Sequence, residues 1–212
     1  MTKFCAVLTV VLVLACQVLA SSADLNMHAI KLRFSPGFYL DKGGFGVDLG
    51  YRIGDEVDVA YGQLGYGVTD KVRAYGTVGH YEPDMGDDAM TMSLGISYNL
   101  ADTSLGKLYV DSQVGTALID YGSTYTAGLD LGLSRDFPPC CPWFRCLDRT
   151  SLYGFGGCQY QTIDYDWGGD DSEFQPVVGA GVSLKSANIF QMYGETIYTD
   201  AVAWQFGVRL KF

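Results

Sequence analysis

Every second residue of the closing stretch AVAWQFGVRLKF is a large hydrophobe: Val202, Trp204, Phe206, Val208 and Leu210, with Phe212 ending the row. Ala203, Gln205, Gly207, Arg209 and Lys211 fill the alternate places. Period-two alternation marks a β-strand whose two faces meet different surroundings. The run is long beside the strands of about 5–6 residues usual in soluble proteins. A chain made of such strands must satisfy two opposite faces along its whole length.

The pattern recurs. FGVDLGYRI sets Phe45, Val47, Leu49, Tyr51 and Ile53 on one face, with Asp48 and Arg52 on the other. AMTMSLGISYNL and TYTAGLDLGL alternate as cleanly, and YVDSQVGTAL and VVGAGVSL less so. No helical period occurs after the first twenty residues. The alternation predicts ten strands: 44–53, 56–68, 71–81, 89–100, 106–121, 124–135, 150–163, 174–185, 187–199 and 201–212. MHAIKLRF (27–34) reads as an eleventh strand or, within 27–40, as a lead-in. Tyr61 and Leu64 fall on opposite parities, which suggests a β-bulge near Gly62 or Gln63.

Two kinds of turn alternate along the chain. VTDK (68–71), ADTSLG (101–106), the Cys-rich 136–150 and KSAN (185–188) form one set. EPDMGDDA (82–89), YGST (121–124), DYDWGGDDSE (164–173) and TDA (199–201) form the other, two of them strongly acidic. An up-and-down meander has this property, because all turns of one set lie at one end.

The start of the chain reads as a targeting segment. Lys3 precedes an apolar run, Phe4 to Ala15, too short to cross a bilayer as a helix, and Val18-Leu19-Ala20 suits a signal peptidase. Residues 1–20 are therefore expected to be a signal peptide and 21–212 a single domain. Acylation of Cys16 in Val13-Leu14-Ala15-Cys16 is the competing reading. With 14 basic against 24 acidic residues the chain carries a net charge of −10, which argues against a nucleic-acid partner. Export and four cysteines past the leader, Cys140, Cys141, Cys146 and Cys158, fit an oxidising compartment and a disulfide among them. Pro138, Pro139 and Pro142 exclude regular strand pairing in that turn.

Catalytic chemistry finds little support. The two histidines, His28 and His80, have no convergent partners at telling spacing. DYDWGGDD resembles a calcium loop only faintly, since Gly168 takes a ligand position and Gln175 stands where the bidentate glutamate belongs. No enzyme activity, cofactor or metal is expected.

Alternating strands, an export signal, two classes of turn and a terminal Phe closing the row Val202, Trp204, Phe206, Val208, Leu210 and Phe212 resemble the small outer-membrane β-barrels of Gram-negative bacteria. The resemblance covers residues 45–212. It implies an all-β fold: a closed antiparallel up-and-down transmembrane barrel of about ten strands, with eight or twelve as the neighbouring even counts. It implies that the terminal row is the signal read by the barrel-assembly machinery, and that the partners are outer-membrane lipids and small solutes or ions. Asp48, Arg52, Asp58, Arg73, Asp111, Asp130, Glu195 and Arg209 then face the lumen, and Tyr51, Tyr98, Tyr125, Tyr198 and Phe212 sit at headgroup level. The expected role is structural or that of a narrow, porin-like pore. An adhesin acting through the acidic loops and a soluble secreted β-sandwich are the alternatives.

Overall fold

The computed structural model describes residues 40–54, 57–83, 89–119, 122–138, 149–166, 168–186, 189–199 and 201–212. They form ten strands: β1 (Phe45–Ile53), β2 (Val57–Gly67), β3 (Val72–Pro83), β4 (Ala89–Thr103), β5 (Gly106–Ile119), β6 (Gly122–Phe137), β7 (Arg149–Tyr165), β8 (Asp170–Ser186), β9 (Phe190–Tyr198) and β10 (Val202–Lys211). Each strand pairs antiparallel with its sequence neighbours, and β1 pairs with β10, so the sheet closes. A single closed sheet replaces the soluble-sandwich alternative, which needs two packed sheets. Residues 27–34 lie outside the described residues.

Closure has a physical reason. Each strand carries an apolar face and a polar face, and an open edge would leave a row of unpaired N–H and C=O groups. The strand directions put the β2–β3, β4–β5, β6–β7 and β8–β9 connections at the end where β1 begins and β10 finishes, here the lower end. The β1–β2, β3–β4, β5–β6, β7–β8 and β9–β10 connections leave and re-enter the sheet at the opposite, upper end.

β2 corrects one expectation. Its register against β1 and β3 runs unbroken from Val59 to Tyr66, with no bulge at Gly62 or Gln63. Tyr61 is buried and Leu64 exposed because they occupy opposite faces of one regular strand. The register shift falls instead on β4, between Asn99 and Ala101 opposite β5.

At the lower end the chain enters from beneath. Gly43 and Gly67 exchange backbone hydrogen bonds with the facing segment (Gly43 N–H to Gly67 O, Gly67 N–H to Gly44 O), and Leu40 is buried against Tyr75. A Cβ on Gly67 would collide with the Asp41 carbonyl, so this close approach requires glycine. Lys211 Nζ donates to Asp41 Oδ2 at 2.7 Å and ties the entering segment to the last strand. That contact holds the Asp41 carboxyl below its ordinary range.

Candidate functional site: the barrel interior and its outer face

The two faces differ in chemistry on every strand. Outward-pointing Leu49, Leu64, Val78, Leu94, Val114, Leu129, Leu152, Val182, Met192 and Phe206, one from each of the ten strands, are all exposed. A soluble monomer rarely shows a contiguous apolar patch beyond roughly 300–600 Å². A continuous apolar belt around a closed sheet is therefore stable only in an apolar medium. Aromatics edge this belt: Phe45, Tyr66, Tyr98, Phe190 and Phe212 toward the lower end, and Tyr51, Tyr125, Tyr160 and Tyr198 toward the upper. Phe45 and Tyr66 pack with ring centroids 5.0 Å apart. Val202, Trp204, Phe206, Val208, Leu210 and Phe212 are all on the exposed face.

The interior is polar. Asp48, Arg52, Arg73, Asp111, Asp130, Glu195 and Arg209 have buried side chains on the inward parity. Asp58 does not join them. It lies on the outward parity of β2, half-buried, and accepts a hydrogen bond from the Tyr51 hydroxyl at 2.9 Å. The expected lumen position for Asp58 is thus corrected: the unbroken register of β2 turns even-numbered residues outward.

A repeated interlock organises the wall. On five neighbouring-strand pairs a tyrosine stands directly opposite a glycine: Tyr61 and Gly50, Tyr75 and Gly95, Tyr109 and Gly132, Tyr153 and Gly181, Tyr193 and Gly207. A Cβ on any of these glycines would overlap the facing ring. The rings lie flat along the inner wall in space that only glycine leaves open. Phe155 covers Gly179 in the same way.

Three of the tyrosines reach past the glycine strand to a carboxylate on the strand beyond. Tyr75 on β3 crosses Gly95 on β4 and donates to Asp111 on β5 at 2.6 Å. Tyr153 crosses Gly181 and donates to Glu195 at 2.8 Å. Tyr193 crosses Gly207 and donates to Asp48 Oδ1 at 2.9 Å, while its hydroxyl also meets that of Tyr61. Arg209 completes this cluster. Its Nε and Nη2 both donate to Asp48 Oδ2, at 2.9 and 2.5 Å, and its guanidinium lies 4.6 Å from the Tyr193 ring centroid. Asp48 is 1% and Arg209 0% exposed, so each neutralises a charge that could not otherwise stay in so dry a place.

Charge also divides along the axis. Each upper segment (54–56, 84–88, 120–121, 166–169, 199–201) contains Asp or Glu, and none contains Lys or Arg. Lys42, Lys71, Lys107, Arg149, Lys185 and Lys211 all belong to the lower end. There Asp136 meets Lys185 at 3.4 Å and Arg149 at 3.7 Å, and accepts from Ser151.

Among the described residues no group of three or more His, Cys, Asp and Glu could hold a metal. His80 lies on the outward parity of β3. Cys158 is a half-buried free thiol on the outward face of β7, paired in register with Leu129 and Pro176. Cys140, Cys141 and Cys146 lie outside the described residues, as do most of the acidic turn residues of 82–89. The sequence reading missed the interior tyrosines, because tyrosine suits a membrane interface as well as a polar lumen. Their signal was a glycine on the matching parity of each neighbouring strand.

No model of a known protein family matches the chain, and no curated protein matches it. Solved structures are similar in architecture. The N-terminal β-barrel domain of Pseudomonas aeruginosa OprF matches at 14% identity with a TM-score of 0.42, over 82% of this chain and 100% of that one. The KdgM porin matches at 11% identity and 0.43, over 79% and 99%. The Acinetobacter baumannii outer membrane protein Omp33 matches at 8% identity and 0.39, over 81% and 99%. On its own geometry, the chain is a closed, ten-stranded, all-antiparallel up-and-down barrel.

Proposed function

We propose that the chain is an integral outer-membrane barrel with a structural or very narrow pore role, preferring cations where it conducts. The observation that carries this reading is the interlocked Asp48–Arg209–Tyr193–Tyr61 cluster. Together with Tyr75, Tyr109, Tyr153 and Phe155 it crowds the lower half of the interior. A ten-stranded barrel is little wider than the eight-stranded ones whose side chains fill the space inside. A wide aqueous channel is not compatible with that packing.

The remaining partners follow from the faces. The apolar belt suits lipid acyl chains, and the terminal row ending in Phe212 suits an exposed strand read during assembly. The lower end, with both ends of the sheet, would face the periplasm, and the acidic upper end the outside. Upper connections that carry Asp or Glu but no Lys or Arg, beside the inward Arg52 near the top of β1, favour cations over anions. Cell fractionation with unboiled and boiled gel migration tests the location. Recovery in the outer-membrane fraction with a shifted unboiled band agrees with it. A soluble periplasmic protein with unchanged migration would end it.

A further inference from the structure

The strands differ in length, and the difference leaves one edge open. β7 and β8 have 17 residues each, whereas β9, β10 and β1 have 9, 10 and 9. β8 and β9 meet at the lower end, where Ser186 pairs with Phe190. At the upper end β9 stops at Tyr198, which pairs with Val178. β8 continues to Asp170 and stays paired with β7, Phe174 with Tyr160 and Asp170 with Asp164. On the side turned away from β7, no described residue pairs with Asp170–Phe174. At about 3.3 Å per residue this free edge is roughly 16 Å long.

The edge is accessible. Asp170, Asp171, Ser172 and Phe174 are exposed and Glu173 is half-buried. Tyr160, beside Phe174, belongs to the upper aromatic border of the apolar belt, so Asp170–Glu173 stands above that border, in water. An unpaired strand edge is a template for another strand, and its charge decides which one. Asp170, Asp171 and Glu173 lie on the edge strand, Asp164 and Asp166 lie beside it, and no Lys or Arg occurs between Arg149 and Lys185. The same edge of a second copy would bring carboxylates opposite carboxylates, which is unfavourable across strands. A strand with lysine or arginine at alternate positions would meet opposite charge.

We infer that the upper edge of β8 receives an extended, cationic segment of another protein as an added strand. Backbone hydrogen bonds along Asp170–Phe174 supply the affinity, and the carboxylates of Asp170, Asp171 and Glu173 select the partner. A barrel that never conducts can still carry this edge, so the docking surface and the pore role stand or fall separately.

The test is amide hydrogen exchange on the refolded full chain in detergent micelles. Three probes are compared: a short peptide of alternating lysine and valine, the same peptide N-methylated at alternate backbone amides, and its glutamate–valine counterpart. At about ten times its Kd the lysine peptide should slow exchange of the free amides in Asp170–Phe174 by about tenfold. The N-methylated and glutamate peptides should leave them unchanged. Asp171→Lys with Glu173→Lys should reverse the preference, losing the lysine peptide and gaining the glutamate one. Unboiled gel migration checks that the variant is folded. Should it fail, Asp171→Asn with Glu173→Gln takes its place and should weaken lysine-peptide binding about fivefold, as the loss of two exposed charge pairs implies. No protection of Asp170–Phe174 by the lysine peptide would overturn the inference. Equal protection by the N-methylated peptide would overturn it too, since charge alone would then account for binding. Protection that rises with barrel concentration in the absence of peptide would make the occupant a second copy and would also overturn it.

Discussion

The Tyr193 ring on β9 lies over Gly207 of β10 so closely that the glycine could carry no side chain, and the hydroxyl beyond it is bonded to Asp48 on β1. One glycine therefore lets a side chain link three strands across the seam where the barrel closes. Gly207→Val should disrupt this overlap at a cost of about 1–3 kcal/mol, the usual range for overpacking. Gly62→Val is the control, because a Cβ there meets only Leu49 at an ordinary 3.6 Å. Urea titration of the folded band should separate the two variants.

The Asp48–Arg209 pair should behave as a buried couple. Asp48→Leu or Arg209→Leu alone leaves an unpaired interior charge and should cost about 3–5 kcal/mol. The double variant should recover most of that loss. Additive losses in a double-mutant cycle would mean that the two groups do not act on each other.

The outer face sets a third expectation. Phe206→Arg places a cation among exposed apolar neighbours Val208 and Trp204 and should cost about 2–4 kcal/mol of folding in a bilayer. Trp204→Tyr should be mild, because an interfacial aromatic accommodates a hydroxyl near headgroups. Folded fraction in lipid vesicles reads both.

The ion pair at the lower mouth gives a pH dependence with a defined sign. Lys211 lowers the Asp41 carboxyl, so its contribution is complete above the ordinary carboxylate range and is lost as pH falls through the folded value. Asp41 is 85% exposed at its side chain, so the effect should be local rather than global. The amide signals of Gly43 and Gly67 should move on acidification, and Lys211→Met should abolish that movement.

Much of the fold was legible because lipid and lumen impose opposite chemistry on neighbouring residues. Strand β4 reads as alternating exposed and buried from Ala89 to Leu100, and its apolar set, Met90 to Leu100, is the set the sequence pattern picks out. Asp58 shows where that reasoning fails: near a strand end, a half-exposed carboxylate is stable on either face, so its composition does not fix its parity. The tyrosine–glycine interlocks were illegible for another reason. Gly207 and Tyr193 become partners only through the register, and Asp48 and Arg209 meet only because the first and last strands pair.

Single-channel recording of the refolded barrel in planar bilayers addresses the crowded interior most directly. The interlocked tyrosines and the Asp48–Arg209 pair predict no current, or small steps that favour cations, rising when Tyr193 and Arg209 are both replaced by alanine. A large, anion-selective conductance from the unaltered protein would contradict the occluded lumen.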